Sequence, residues 1–258
     1  MSQPKRSPPE WFVLGEEATP QVMACVANLV AANNLTLQVR TAPMLAHWFL
    51  LDSLLLANRA NRDGMHANAL SITRQCLEAM TVVELGVCGH TESEAMLLSW
   101  ERDELTAGKL RAWLEHHVWP QYGSGLWAEP WATFMREFAR ALQPYAHYGP
   151  QLSQWQVRLV PGTCGTESTG PATAVIEVRP RAYDAQKGTR ITLFHAVLTY
   201  ALGRVCVARG SARDDLAALI ARLGSALGKS RYLDGHETDW SRQLWAMLWS
   251  ADGRTILE

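Results

Sequence analysis

A large net charge is missing from this chain. Its 24 Lys and Arg offset 25 Asp and Glu, for a formal net charge of -1, so no whole-chain basic signal points to nucleic acid. Charged residues make up only 19% of the composition, which excludes global disorder. Cysteine is sparse. Cys25, Cys76, Cys88, Cys164 and Cys206 are far apart and never form C-x-x-C, a pattern that argues against a disulfide framework or a zinc knuckle and favours a reducing compartment. Neither H-x-x-x-H nor H-E-x-x-H occurs, so no metal is expected. The adjacent His116 and His117 would point about 100° apart on a helix, which predicts one ring buried and one in water. The opening MSQPKRSPPEWF lacks the roughly 7–15-residue apolar run of a signal peptide. MLAHWFLLDSLLLA contains Asp52 and is too short to span a bilayer. ITLFHAVLTYALGRVCVA carries His195 and Arg204 and reads as a buried helix. The expectation is a soluble cytoplasmic protein with no membrane partner.

What is present is a core. Of 258 residues, 48% are apolar, enough for one large globular domain. Residues 1–15, with Pro4, Pro8 and Pro9, read as a loose tail. Residues 18–150 read as a helical core. Its first helix is predicted over 20–32, opened by Pro20. Pro43 opens a second helix, apolar nearly all round and therefore central. The third covers 66–89, where Ala69, Ile72, Cys76, Met80 and Val83 recur at the spacing of one buried stripe. A fourth helical region covers 92–118. WPQYGSGLWAEPW is a Pro/Gly connector, and Pro130 opens a fifth helix, WATFMREFARAL. WQVRLV and AVIEVR alternate and are β-branched, the pattern of two strands. With the Gly/Ser/Thr-rich stretch between them they predict a β-hairpin insert over 153–182. Helices resume at 191–208, 212–227 and 239–249, within a C-terminal helical region of 189–250. The expected fold class is mainly α, a helical bundle with a small β-hairpin insert in a single domain, 1–258.

Two apparent motifs fail on context. GSALGKS is one residue short of a phosphate-binding loop and follows a helix instead of a strand. GTCGT, around Cys164, lies between two strands and lacks the strand-to-helix turn of a nucleophile elbow. Trp100, Trp113, Trp119, Trp127 and Trp131 fall within 32 positions and at helical spacing predict core packing. Charge is uneven along the chain. Residues 1–130 carry 9 Lys and Arg against 14 Asp and Glu, and residues 131–258 carry 15 against 11. An anionic partner would therefore favour the second half.

Two polar pairs stand out as candidate site residues. Arg140 and His147 are seven residues apart, nearly two helical turns, with Pro144 between them. Pro144 lacks an N–H and clashes with the carbonyl of Arg140, so the helix should stop there and leave His147 just beyond its end. Arg74 and Glu78 are four apart in an otherwise apolar helix. They form either an intrahelical ion pair or part of a pocket shared with His147.

RALQPYAH, with Arg140 and His147, resembles the R-x(4–6)-H signature of the HEPN superfamily. SITRQCLEAM, a long helix with R-x-x-x-E ahead of the histidine, is similar to HEPN-like helical proteins of bacteria. The resemblance covers residues 43–150 and departs from the pattern at Ala141, where active members carry a polar residue, and at Pro144. It implies a helical bundle, a homodimer, and RNA as partner. It further implies a metal-independent endoribonuclease of a toxin–antitoxin or phage-defence system that needs no cofactor. RNA supplies its own 2′-OH nucleophile, a histidine near neutral pKa moves protons, and an arginine holds the phosphate. In that reading Arg140 and His147 are catalytic, and Arg74, Glu78, Tyr145 and Tyr148 position the substrate. Arg179, Arg181, Lys187 and Arg190, in a basic turn, guide the strand. Two alternatives compete with it. One is a catalytically inactive interaction module, such as an antitoxin or sensor subunit. The other is a helical small-molecule binder with an Arg/Glu/His pocket.

Overall fold

The computed structural model of the chain describes residues 8–160, 175–178, 181 and 183–230. The fold is mainly α, with nine α-helices among these residues. They are α1 (Glu10–Ala31), α2 (Thr41–Arg62), α3 (His66–Val87), α4 (Ser93–Glu101), α5 (Ala107–His117), α6 (Trp131–Leu142), α7 (Pro150–Ser153), α8 (Ala185–Ala208) and α9 (Asp214–Gly228). The backbones of β1 (Val157–Val160) and β2 (Val175–Val178) run antiparallel, with Val157 opposite Val178. The predicted linker over 161–171 and the predicted helix over 239–249 lie outside the described residues.

The centre of the molecule is α3 and α8. α2 and α3 form a helical hairpin, joined through Gly64 at φ 75°. A Cβ at Gly64 would also press on the Arg181 carbonyl oxygen at 2.7 Å, so the turn needs glycine twice over. At the other end of the hairpin, Gly86 lets α2 close onto α3. A Cβ there would sit 2.1 Å from Pro43 Cγ. α8 packs across α1, α2 and α3. Its N-terminus is capped by Asp184, whose carboxylate accepts from the Gln186 and Lys187 N–H groups at 2.9 and 3.2 Å. By length and composition α8 is apolar enough to cross a membrane, and most of that stretch is buried inside the protein.

Two neutral histidines tie the centre together. His66 Nε2 accepts from the Asp184 N–H at 2.9 Å, so its Nδ1–H donates to Asn61 Oδ1 at 2.9 Å. Asn61 in turn donates to the Gly188 carbonyl at 2.9 Å. His195 bonds Thr73 Oγ1 at 2.8 Å and the Asn58 side chain at 2.9 Å. Burial first, and then the nearby Lys187 charge, push the His66 pKa down to about 4, with Asp184 opposing. Burial pushes His195 down to about 4 as well.

Several boundaries differ from expectation. α1 begins at Glu10, nearly three turns before Pro20, and Trp11, Leu14 and Ala18 are buried. The loose tail over 1–15 is therefore corrected from Glu10 onward. Pro20 sits inside α1, where the packing of its apolar face against α8 and α9 outweighs a missing hydrogen bond. The fourth helical region is two helices. The chain turns at Asp103, φ 59°, a left-handed position that Asp tolerates. It restarts at Thr106, whose hydroxyl accepts from the Lys109 N–H at 3.4 Å. His116 and His117 are both exposed, and His117 stacks on Trp113 with ring centroids 4.8 Å apart.

Candidate functional site

Pro144 ends α6 as its missing N–H requires, and Gln143–Tyr145 continue as a single 3₁₀ turn. This carries Gln143 and His147 off the helix and over α3. There they meet Arg74, which α3 holds in an almost fully buried position with 4% exposure. Arg74 Nη2 donates to Glu78 Oε1 at 2.9 Å and to Gln143 Oε1 at 3.2 Å. Its Nε and Nη1 are buried without a hydrogen-bond partner. An unmet buried N–H costs about 1–3 kcal/mol, more when charged. Burial pushes the Arg74 pKa down, and the Glu78 carboxylate pushes back.

Arg74, Glu78, Gln143 and His147 line one groove of about 790 Å³. It is also lined by apolar side chains: Leu45 and Phe49 from α2, Val82 from α3, and Trp100 from α4. Leu45 and Phe49 are 55% and 45% exposed, so the groove combines uncovered apolar surface with a buried cation. His147 is itself exposed at its edge.

Arg140 lies elsewhere. It is on α6, 61% exposed in its side chain, and pairs with Glu137 at 3.1 Å. It lines a smaller cavity of about 330 Å³ together with Arg111, Glu115, Arg136 and Gln143. Thus His147 shares a cavity with Arg74 and Glu78, while Arg140 does not line it. Gln143 borders both.

Comparison of the chain with protein-family models, with curated proteins and with solved structures found no match. The site must therefore be read from its own chemistry.

Several expected site residues are placed where they cannot act as expected. Tyr145 is 4% exposed and packs edge-on against Trp155 at 5.8 Å. Burial pushes its pKa up to about 12, so it is a structural plug and not a positioning group. Lys187 and Arg190 are not in a turn but in α8, and both are buried. The Lys187 ammonium donates to the Trp155 and Val157 carbonyls. A strand of nucleic acid cannot reach them, because the apolar face of α8 takes its basic first turn inward. Tyr148, 76% exposed, and Arg181 are on the surface. Arg179 lies outside the described residues.

Two residues escaped the sequence reading. Arg111, on α5, is half-buried and its Nη1 has no partner. Burial and then the charge of Arg74 push its pKa down, with Glu78 and Glu115 opposing. Gln143, which bridges the cavities, carries no charge to flag it. A second cavity, about 540 Å³, is lined by Trp11, Asn58, Asn61, Thr192, His195 and Thr199, among others. Its amide and imidazole groups are hydrogen-bonded to one another or to the backbone, so it presents less unmet polarity than the Arg74 groove.

Proposed function

We propose that this protein is a helical binder of an amphipathic, anionic small molecule, held in the groove between α2, α3 and the end of α6. One observation carries the reading. Arg74, with 4% exposure and two guanidinium nitrogens that have no hydrogen-bond partner, lines a groove of about 790 Å³ that is also lined by Leu45, Phe49, Val82 and Trp100. The volume is in the range of small-molecule sites, roughly 300–1,000 Å³. An apolar tail would cover the α2 wall, and an anionic head would meet Arg74. Calorimetric titration of octanoate into the wild type and into Arg74→Leu tests this. Hydrogen bonds to a charged group contribute about 1.5–3 kcal/mol, so the variant should bind at least roughly tenfold more weakly. Equal affinities would refute it.

A second reading is the HEPN-like one, a metal-independent endoribonuclease of a toxin or phage-defence system acting through Arg140 and His147. What favours it is that both side chains are exposed on either side of Gln143, where a phosphodiester would have access to both. RNA degradation by the wild type, lost in His147→Ala, would support it. Identical behaviour of the two proteins would leave the small-molecule reading alone. The proposal also takes the chain as cytoplasmic and homodimeric, with β1 and β2 as an insert outside the helical core.

A further inference from the structure

Three guanidinium nitrogens in this region are buried without acceptors: Nε and Nη1 of Arg74 and Nη1 of Arg111. The two side chains come from different helices, α3 and α5, which pack on each other, they line the two cavities that Gln143 borders, and the Arg74 charge disfavours that of Arg111. Three of the acidic groups nearby are already engaged, and a fourth, the exposed Glu101, also lines the groove. Glu78 holds Arg74 Nη2 at 2.9 Å, Glu115 holds Arg136 at 2.6 Å, and Glu137 holds Arg140 at 3.1 Å. Two partly desolvated cations that carry three unpartnered nitrogens are the complement of an anion with several acceptor oxygens.

Gln143 controls access. Its Oε1 accepts from Arg74 Nη2 at 3.2 Å, it is exposed, and it lines both the large groove with Arg74 and the small cavity with Arg111. It is the residue that lines both cavities. A carboxylate has two oxygens and suits one guanidinium fork. A phosphoryl group has three terminal oxygens and can serve both arginines at once.

We propose that Arg74 and Arg111 form a phosphate site beneath Gln143, and that the ligand of the large groove carries a phosphoryl head. This rests on the reading of that groove as a small-molecule site and adds the chemistry of the head. Octyl phosphate fills groove and site together. Octanoate fills the groove without needing Arg111. Inorganic phosphate fills the site alone.

The test is calorimetric titration of these three probes into the full chain, at constant ionic strength, for the wild type, Arg111→Met and Gln143→Glu. In the wild type, octyl phosphate should bind at least tenfold tighter than octanoate. Arg111→Met should abolish that preference and leave octanoate affinity within about twofold. Gln143→Glu changes only an exposed side chain. It places a carboxylate on Arg74 and should weaken both phosphate probes at least tenfold. The proposal is overturned if octyl phosphate and octanoate bind the wild type equally, or if the preference survives both substitutions. Octanoate binding without a phosphate preference would sink the phosphate site and spare the groove. Inorganic phosphate binding that needs Arg111, with no added affinity from the octyl chain, would do the reverse.

Discussion

Replacing Glu84 with Gln should stabilise this protein at pH 8 and leave it unchanged near pH 4.5. Glu84 is on α3, 2% exposed, and accepts from Trp119 Nε1 at 2.9 Å. Burial pushes its pKa from 4.5 up to about 7. The Trp119 hydrogen bond, with Tyr122 close by, offsets this only in part. Between pH 4.5 and 7 the folded chain keeps a proton that the unfolded chain has lost. The unfolded state then binds fewer protons, so stability falls as pH rises through this window and is flat above it. Each pKa unit corresponds to about 1.4 kcal/mol, so the folded state loses about 3 kcal/mol by pH 8. Gln keeps the oxygen that Trp119 needs and carries no charge, so Glu84→Gln recovers that loss. In a protein of this size the gain corresponds to a rise of roughly 6–12 °C in melting temperature. Urea unfolding at pH 4.5, 6 and 8 measures it. An equal gain at all three pH values, or none at pH 8, would show that Glu84 is not held protonated by burial.

The two buried histidines act with the opposite sign. Both have pKa values pushed from 6.5 down to about 4, so the unfolded chain gains protons first and stability falls as pH drops from 6.5 towards 4. In a Glu84→Gln background, urea unfolding should show that acid limb alone, and His195→Gln should shrink it by up to about 3 kcal/mol. Gly86→Ala should destabilise by about 1–3 kcal/mol, because its Cβ would overlap Pro43. Gly108→Ala, whose Cβ meets only Thr106 Oγ1 at 3.7 Å, should be neutral or stabilising in the same unfolding assay.

Much of the helical frame could be read from the residues. Of the predicted stripe, Ala69, Cys76, Met80 and Val83 are buried in the core and Ile72 is partly buried against it, and Pro144 does stop α6. Arg74 and Glu78 could be paired by their spacing alone, because an i,i+4 relation is local. What escaped is non-local. Pro20 looks like a helix start because its cost is local, while the packing of α1 on α8 that overrides it is not. The break at Asp103 has no Gly or Pro to announce it. Lys187 and Arg190 look like surface cations until α8 is placed in the centre of the molecule. Arg111 joins Arg74 only because α5 crosses α3, a contact no spacing rule reports.

The most direct test of the account is a crystal structure of the chain with octyl phosphate bound. Density for the octyl chain along Phe49 and Val82, with its phosphoryl oxygens on Arg74 and Arg111 and Gln143 turned aside, is the expected result. Density beside His195 in the second cavity, or an undisturbed Gln143–Arg74 hydrogen bond over a vacant groove, would contradict it.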